Sequence, residues 1–445
     1  MKRKKIIKLL EEKKFSELKN KINEVKCADI AEILKKLEDK QAFTVFRLLN
    51  KRKAGIAFSF MDSEMQEKMI KEFSDGELKD VLDILYMDDT VDLVEDMPSK
   101  VVTRILQTVS KEDRQTINKL LKYPDDSAGS IMTTEFVDLE KEMTVEEALE
   151  RIKELAINSE TIYTCYVLDK LGKLVGTVNI KDILIADREK KIEELMDKHF
   201  LFANVLDNQE EVAKIFDKYD IYALPVVDNE TLLVGIITVD DAIDVIQEEM
   251  SKDFEIMGAL KPKEKGYFET SVFEHAKNRI VWLLVLMFSA ILTGAIISKY
   301  ENAFAVVPLL VSFIPMIMDT GGNCGAQSST LIIRGLATDE IRLTDIFRII
   351  WKEIRVAILV GIVLAIVNGL RIYIQYKDIK MACTIGCTLI ATAALAKTIG
   401  CLLPMLAKKI KLDPAIMAAP LITTLVDTFS ILIYFNIATQ IMGIK

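Results

Sequence analysis

Beyond residue 279 this 445-residue chain consists mainly of long apolar runs, and they restrict its fold more than any other feature. Residues 280–298 carry no charge. Residues 302–318 and 320–333 are separated only by Asp319, and 414–426 and 428–444 only by Asp427. Uncharged runs at 356–370 and 381–396 lie between them. A helix needs about 20 mostly apolar residues to cross a bilayer core. The runs therefore predict five spans, at about 280–299, 303–333, 347–372, 381–406 and 414–441. One such run fits a buried soluble helix, but five in succession fit a membrane domain.

The charge divides at the same place. Residues 280–445 hold 14 Lys and Arg against 9 Asp and Glu, a net of +5, which leaves −14 in residues 1–279 of the chain total of −9. An acidic chain with a pI near 5.2 lacks the basic footprint of a nucleic-acid binder. Six cysteines without close spacing make no disulfide framework, and two histidines, His199 and His275, argue against a His-built zinc enzyme. No phosphate-loop, dinucleotide or nucleophile-elbow motif stands out, so no enzyme is expected, and no protein partner is evident. Lys261, Lys263, Lys265, Lys277 and Arg279 precede the first span. Arg334, Arg342, Arg348, Lys352 and Arg355 follow the second, and Lys408, Lys409 and Lys411 follow the fourth. Positive loops face the cytosol, so a multi-pass protein of the cell membrane with a cytoplasmic N-terminus is expected. Arg371, Lys377 and Lys380, in the loop after the third span, dissent mildly. The basic start MKRKKIIKLLEEKK has too short an apolar run for a signal peptide.

The acidic part contains a repeat. Residues 174–184 (LVGTVNIKDIL) recur at 233–243 (LVGIITVDDAI), 59 residues on. Each reads as a strand leading into an acid-started helix, after a helical stretch and another strand. This resembles a tandem CBS pair, at 123–190 and 191–250, a module that often binds an adenine nucleotide such as ATP. Thr238 and Asp241 match the hydroxyl and carboxylate of such a site. Asn179 and Asp182 depart at the hydroxyl position, and either acid also fits a plain helix N-terminus. Residues 1–122 show helical spacing throughout, as in Val102, Ile105, Leu106 and Val109, and predict an all-α stack of hairpins. Asp88, Asp89, Asp92, Glu95 and Asp96 crowd one stretch of it, as a solvated face or a cation site. Asp240, Asp241, Asp244, Glu248, Glu249 and Asp253 open a predicted connecting helix at 240–270, and a transmembrane domain fills 271–445.

Ionisable groups within a span cost about 2.5–3.5 kcal/mol on insertion scales and mark ion paths or ion pairs. Asp427 has Thr423, Thr424 and Thr428 beside it, an oxygen set that suits hard cations such as Mg²⁺. An ion pair between Asp427 and Lys397 is the alternative. Gly321, Gly322, Asn323, Gly325 and Gln327 predict a break in the second span that forms a pore loop, with close helix packing as the alternative.

Three stretches together resemble the MgtE-type magnesium channel/transporter family over essentially the whole chain. They are YPDDSAG at 123–129 with Met132 and Thr133; GGNCGAQ at 321–327 with Arg334, Gly335, Leu336 and Ala337; and Asp413, Pro414 and Ala415 with Pro420, Thr423, Thr424, Asp427, Tyr434 and Phe435. The resemblance implies a homodimer that conducts Mg²⁺, with Asp427 on the permeating ion and a further position near Asp413. It also implies closure by cytosolic Mg²⁺ held by Asp88, Asp92, Asp241, Asp244, Glu249 and Asp253. Asp207 followed by Asn208 departs from the two acids the family can carry there. A nucleotide-regulated transporter of Mn²⁺ or Co²⁺ is the alternative reading.

Overall fold

In the computed structural model, residues 3–261, 267, 270–338, 340–417 and 419–444 are described. Lys263 and Lys265, counted above as topogenic charges, lie outside them. The chain forms two compact units, residues 1–247 and 248–445.

The first unit begins with ten short helices: α1 (Arg3–Glu11), α2 (Phe15–Ile22), α3 (Cys27–Lys35), α4 (Asp39–Phe46), α5 (Lys51–Ser59), α6 (Ser63–Glu72), α7 (Asp75–Leu82), α8 (Met87–Asp96), α9 (Ser99–Thr108) and α10 (Lys111–Leu120). Polar caps start several of them. The Asp62 carboxylate accepts from Met65 N at 2.9 Å, Ser74 and Glu77 form a reciprocal capping box, and Ser110 accepts from Asp113 N. Such helices are too short to persist alone, so packing must hold them. Helix α3 packs on α5, α5 on α7 and α7 on α9, which buries Ile30, Leu34, Val45, Phe58, Met69 and Leu78 in one core. The expected all-α stack is the observed one.

Two copies of a small α/β module follow. In the first, β1 (Asp138–Glu140) pairs in parallel with β2 (Thr164–Leu168), and β2 antiparallel with β3 (Leu174–Asn179). Helix α11 (Val145–Leu155) lies between the first two strands, and α12 (Ile180–Ile185) follows the third. In the second copy, β4 (Ala203–Asn204), β5 (Ala223–Val227) and β6 (Leu233–Thr238) repeat that order, with α13 (Gln209–Tyr219) between the first two. The register shift at Val167/Leu168 recurs at Val226/Val227, so the repeat extends to a local irregularity. The LVG glycine has a physical reason in both copies. A Cβ on Gly176 would meet Met196 Sδ at 2.7 Å, and one on Gly235 would meet Met132 Sδ at 2.8 Å. Helix α14 (Val239–Met257) then leaves the second copy and crosses the unit boundary. It ends at Met257, and Ala259, with a φ of 55°, turns the chain away just beyond it.

The second unit is helical: α15 (Val272–Lys299), α16 (Glu301–Val306), α17 (Ile314–Ala337), α18 (Ile346–Tyr376), α19 (Ile379–Lys409) and α20 (Ala419–Met442). Among the described residues four helical stretches are long and apolar enough to cross a membrane, Val272–Lys299, Leu343–Tyr376, Ile379–Lys409 and Pro414–Met442. The remaining expected span, α17, is long enough but carries Asp319, Asn323, Gln327 and Arg334.

The expected pore loop is corrected here. Helix α17 runs unbroken through Gly321, Gly322, Asn323, Gly325 and Gln327, and the irregular stretch comes earlier, as a 3-10 turn at Pro308–Phe313. The glycines serve packing instead. A Cβ on Gly400 of α19 would sit 2.3 Å from Gly325 O, so α17 and α19 touch backbone to backbone. A Cβ on Gly321 would meet Ser430 Oγ at 2.7 Å and Thr392 Cγ2 at 2.9 Å. At the far end Tyr434 donates to Leu310 O at 2.8 Å, and Phe435 stacks on Tyr300.

Gly400→Ala is expected to overpack this contact, at a cost of about 1–3 kcal/mol. Gly294→Ala on α15, which meets nothing within 4 Å, is the control. Thermal unfolding of the purified chain checks this: equal midpoints for the two variants would refute the close contact.

Candidate cation sites

The first unit gathers carboxylates from three separate places. Asp88 stands in the first turn of α8, Asp241 in the first turn of α14, and Glu160 in the loop before β2. One carboxylate oxygen from each lies within 4.8 Å of the others. Asp88 is 9 % exposed, and Glu160 Oε2 is buried without a hydrogen-bond partner. No Lys or Arg forms an ion pair with any of the three among the described residues. Glu135 adds further negative charge, accepting from Met87 N at the start of α8.

Withheld water and mutual repulsion leave these groups reluctant to ionise. Burial, followed by Glu160 and Asp241, raises the Asp88 carboxyl well above its usual range. Burial, followed by Asp241 and Asp240, pushes Glu160 up to about 8. Burial raises Asp241 to about 6, against a hydrogen bond from Thr238 that lowers it. Asp89 also reaches about 6, through burial and then Asp241. Three convergent acids, Asp88 buried and Glu160 and Asp241 half-buried, are a set of hard oxygen ligands.

The other expected regulatory acids are placed differently. Asp92 of α8 and Asp244 of α14 are more exposed as whole residues, yet Asp92 is pushed up to about 7 by burial and then by Glu95, Asp89 and Asp241, and Asp244 is raised by burial and then by Asp240. Glu249 and Asp253 belong to the second unit, where Glu249 pairs with Lys252 at 2.9 Å. At the Asp207–Asn208 departure both side chains are engaged in backbone contacts: Asp207 accepts from Asn204 N, and Asn208 caps α13 by accepting from Glu210 N and Glu211 N. Glu160 was missed by the sequence reading, because a lone loop acid has no periodicity to mark it.

The expected nucleotide pair, Thr238 and Asp241, is already engaged. Thr238 is 4 % exposed, and its hydroxyl lies 2.5 Å from both Asp241 Oδ2 and Asp240 Oδ1. A phosphate there would meet Asp88 and Glu160. The equivalent residues of the first copy, Asn179 and Asp182, are more open and face each other at 3.4 Å. Tyr163 and Tyr222 hold matching places in the two copies, 66 % and 68 % exposed, with ring centroids 6.0 Å apart.

In the second unit α17 has two unlike faces. Gly321, Gly322, Gly325, Ser328 and Ser329 are buried against α19 and α20. Asp319, Asn323, Gln327, Thr330 and Arg334 are exposed, spaced by four or three residues, so they form one polar row along the helix. Asp427 of α20 is half-buried, within electrostatic reach of Asp319, and has no hydrogen-bond or ionic partner among the described residues. Thr423 and Thr424 donate to Pro420 O at 3.0 and 2.8 Å, which leaves hydroxyl lone pairs free to accept. Asp413 uses one oxygen to accept from Ala415 N at 2.7 Å, at the start of the 3-10 turn before α20. The alternative Asp427–Lys397 pair does not form. Lys397 lies 3.7 Å from Glu353 of α18 and donates to Ser328 at 3.2 Å.

Acids whose folded values lie above their unfolded ones favour the folded chain only while protonated. Their contribution to the stability of the first unit is therefore fully present below about pH 4, and is lost as pH rises through the values of about 6 for Asp241 and about 8 for Glu160. Without divalent ions, the melting temperature of its transition is expected to fall over that range. Glu160→Gln should reduce the slope, and a flat profile for the natural chain would contradict the clustering.

The comparisons with known proteins come from independent directions. A family model described as a divalent cation transporter matches residues 314–437, an MgtE intracellular N domain model matches 25–126, and a CBS domain model matches 128–189 and 192–248. The magnesium transporter MgtE of Bacillus subtilis is 32% identical over 434 residues, 98% of this chain and 96% of that protein. The magnesium transporter MgtE of Thermus thermophilus is 32% identical over 428 residues, 96% of this chain and 95% of that protein. A crystal structure of the cytosolic domain of the Mg²⁺ channel MgtE in complex with ATP is 32% identical, covering 55% of this chain and 100% of that one at a TM-score of 0.52. Matched so nearly from end to end, the chain belongs to the MgtE family of magnesium transporters, multi-pass membrane proteins that move an ion and are not enzymes.

Proposed function

We propose that two copies of this chain form one Mg²⁺ pathway, lined by the polar row of α17 and by Asp427, and that cytosolic Mg²⁺ at the Asp88–Glu160–Asp241 cluster closes it. The observation that carries this reading is Asp427, without a partner among the described residues, beside an uncovered row of Asp319, Asn323 and Gln327 on an apolar scaffold. Such a row is too costly to present to lipid, so it faces water, and a second copy supplies the opposite wall. Mg²⁺ keeps several waters and takes one or two carboxylates. One Asp427 from each copy supplies two carboxylates, the Thr423 and Thr424 hydroxyls receive the ion's water shell, and Asp413 lies at the cytosolic mouth.

The regulatory half follows from charge. The buried acids repel one another while empty and are drawn together by a divalent cation. An ion that binds only the closed arrangement shifts the population toward it. Asp92 and Asp244 add to the local field, with Glu249 and Asp253 further along α14. In this reading residues 1–122 and 123–250 are the sensor, 240–270 the connection and 271–445 the pore. The positive-inside bias places the sensor in the cytosol of a cell whose plasma membrane holds the pore. An adenine nucleotide such as ATP is assigned to the open first-copy side, at Asp182 and Tyr163, instead of to Thr238 and Asp241. The solved relative with ATP motivates testing it.

Asp427→Asn is expected to reduce Mg²⁺ influx into reconstituted vesicles about tenfold or more, equivalent to about 1.4 kcal/mol. Unchanged influx would remove Asp427 from the pathway. Asp88→Asn with Glu160→Gln should leave influx intact and raise the internal Mg²⁺ needed for half-closure. Closure at the natural concentration would remove the sensor assignment.

A further inference from the structure

Helix α17 touches α19 and α20 through a face that is almost without side chains. Gly321, Gly322, Gly325, Ser328 and Ser329 allow close approach, and the large apolar contacts at Ile317, Ile332 and Ile333 stand toward its two ends. A smooth middle fixes distance well and rotation poorly. Turning such a helix by one residue moves each side chain about 100° round its axis. That rotation would take Asn323 and Gln327 out of the row they share with Asp319.

A charged network interrupts the smooth face, beside the bond that Ser329 donates to Met417 O at 2.9 Å. Ser328 donates to Glu353 Oε2 of α18 at 2.5 Å and accepts from Lys397 Nζ of α19 at 3.2 Å, while Lys397 and Glu353 face each other at 3.7 Å. Lys397 is only 5 % exposed. Ser328 lies about 140° round the helix from Asn323, near the back of the polar row. Three helices therefore meet at one charged, hydrogen-bonded point. A buried ion pair is weak as a source of stability, since an apolar replacement of similar size is often no worse, but it is demanding in geometry. In an apolar medium neither charge has another partner to turn to.

We infer that the Lys397–Ser328–Glu353 network is a positioning device that fixes the rotation of α17, and so aims Asp319, Asn323 and Gln327 into the ion path. These residues touch no ion; they act through α17. The inference rests on the reading of the α17 row as pore lining, and it makes Ser328, Glu353 and Lys397 determinants of Mg²⁺ discrimination.

The test uses the full chain in sealed vesicles, with Mg²⁺ influx measured alone and in competition with Ca²⁺ and Ni²⁺. The variants are Ser328→Ala, the double variant Lys397→Met/Glu353→Met, and the swap Lys397→Glu/Glu353→Lys. Ser328→Ala and the double variant are expected to raise half-saturating Mg²⁺ and lower discrimination, each about tenfold, as for a misplaced binding group. Their thermal midpoints should stay close to that of the natural chain, and the swap should recover part of the discrimination. The double variant keeps the test valid even where removing one charge alone prevents folding. The inference is overturned if the double variant keeps the natural half-saturation and selectivity. It is equally overturned if every loss follows the thermal midpoint and the swap recovers nothing. Asn323→Ala and Asp427→Asn separate the two levels: if neither affects influx, the pore reading itself fails, whereas if both impair it while the network variants behave as the natural chain, only the positioning role fails.

Discussion

A carboxylate held away from water must be neutralised by a proton or by a positive charge, and this chain twice gathers such carboxylates with no basic side chain paired to them among the described residues. In the first unit Asp88, Asp241 and Glu160 converge with no lysine or arginine paired to them among the described residues. In the second, Asp427 stands beside the exposed Asp319 without a hydrogen-bond or ionic partner among the described residues. The cost of both arrangements falls when a divalent cation arrives. In the proposed function that common chemistry lets one ion be both the cargo and the signal, with the sensor tuned by how strongly its empty form repels itself.

The scaffold explains why those groups cannot escape each other. Asp88 and Asp241 begin helices whose starts are fixed by the hairpin stack and by β6, and Glu160 is carried in by the loop that leads to β2. The membrane unit uses the opposite device, with side chains removed so that backbones meet, as at Gly325 and Gly400. Where charge is satisfied internally, at Lys397 and Glu353, it lies away from the polar row and binds three helices together. In the proposed function, satisfied and unsatisfied charges thus divide between holding the scaffold and meeting the ion.

Much of this architecture was legible in the residues themselves. The 59-residue repeat revealed the paired modules because each copy needs the same glycine at the same close approach, Gly176 and Gly235. The i, i+4 acids marked α8, and the charge-free runs marked the apolar helices. Three features were hidden, each for a physical reason. The glycines of α17 signalled a break, but a helix tolerates them when they allow close packing. Glu160 is a single loop acid whose neighbours come from distant segments. Glu353 sits between Lys352 and Arg355, so it disappears into a basic stretch, and Asp427 was the alternative partner the sequence offered for Lys397.

The central claim is that both groups of unpaired acids are sites for the same divalent cation. Anomalous diffraction from crystals of the full chain grown in Mn²⁺, an ion that occupies hard oxygen sites and scatters anomalously, tests it most directly. The account predicts one peak bounded by Asp88, Glu160 and Asp241, a second beside Asp427, and loss of both when Mg²⁺ is in excess. Peaks absent from these positions, with the carboxylates turned instead onto lysine or arginine, would contradict it.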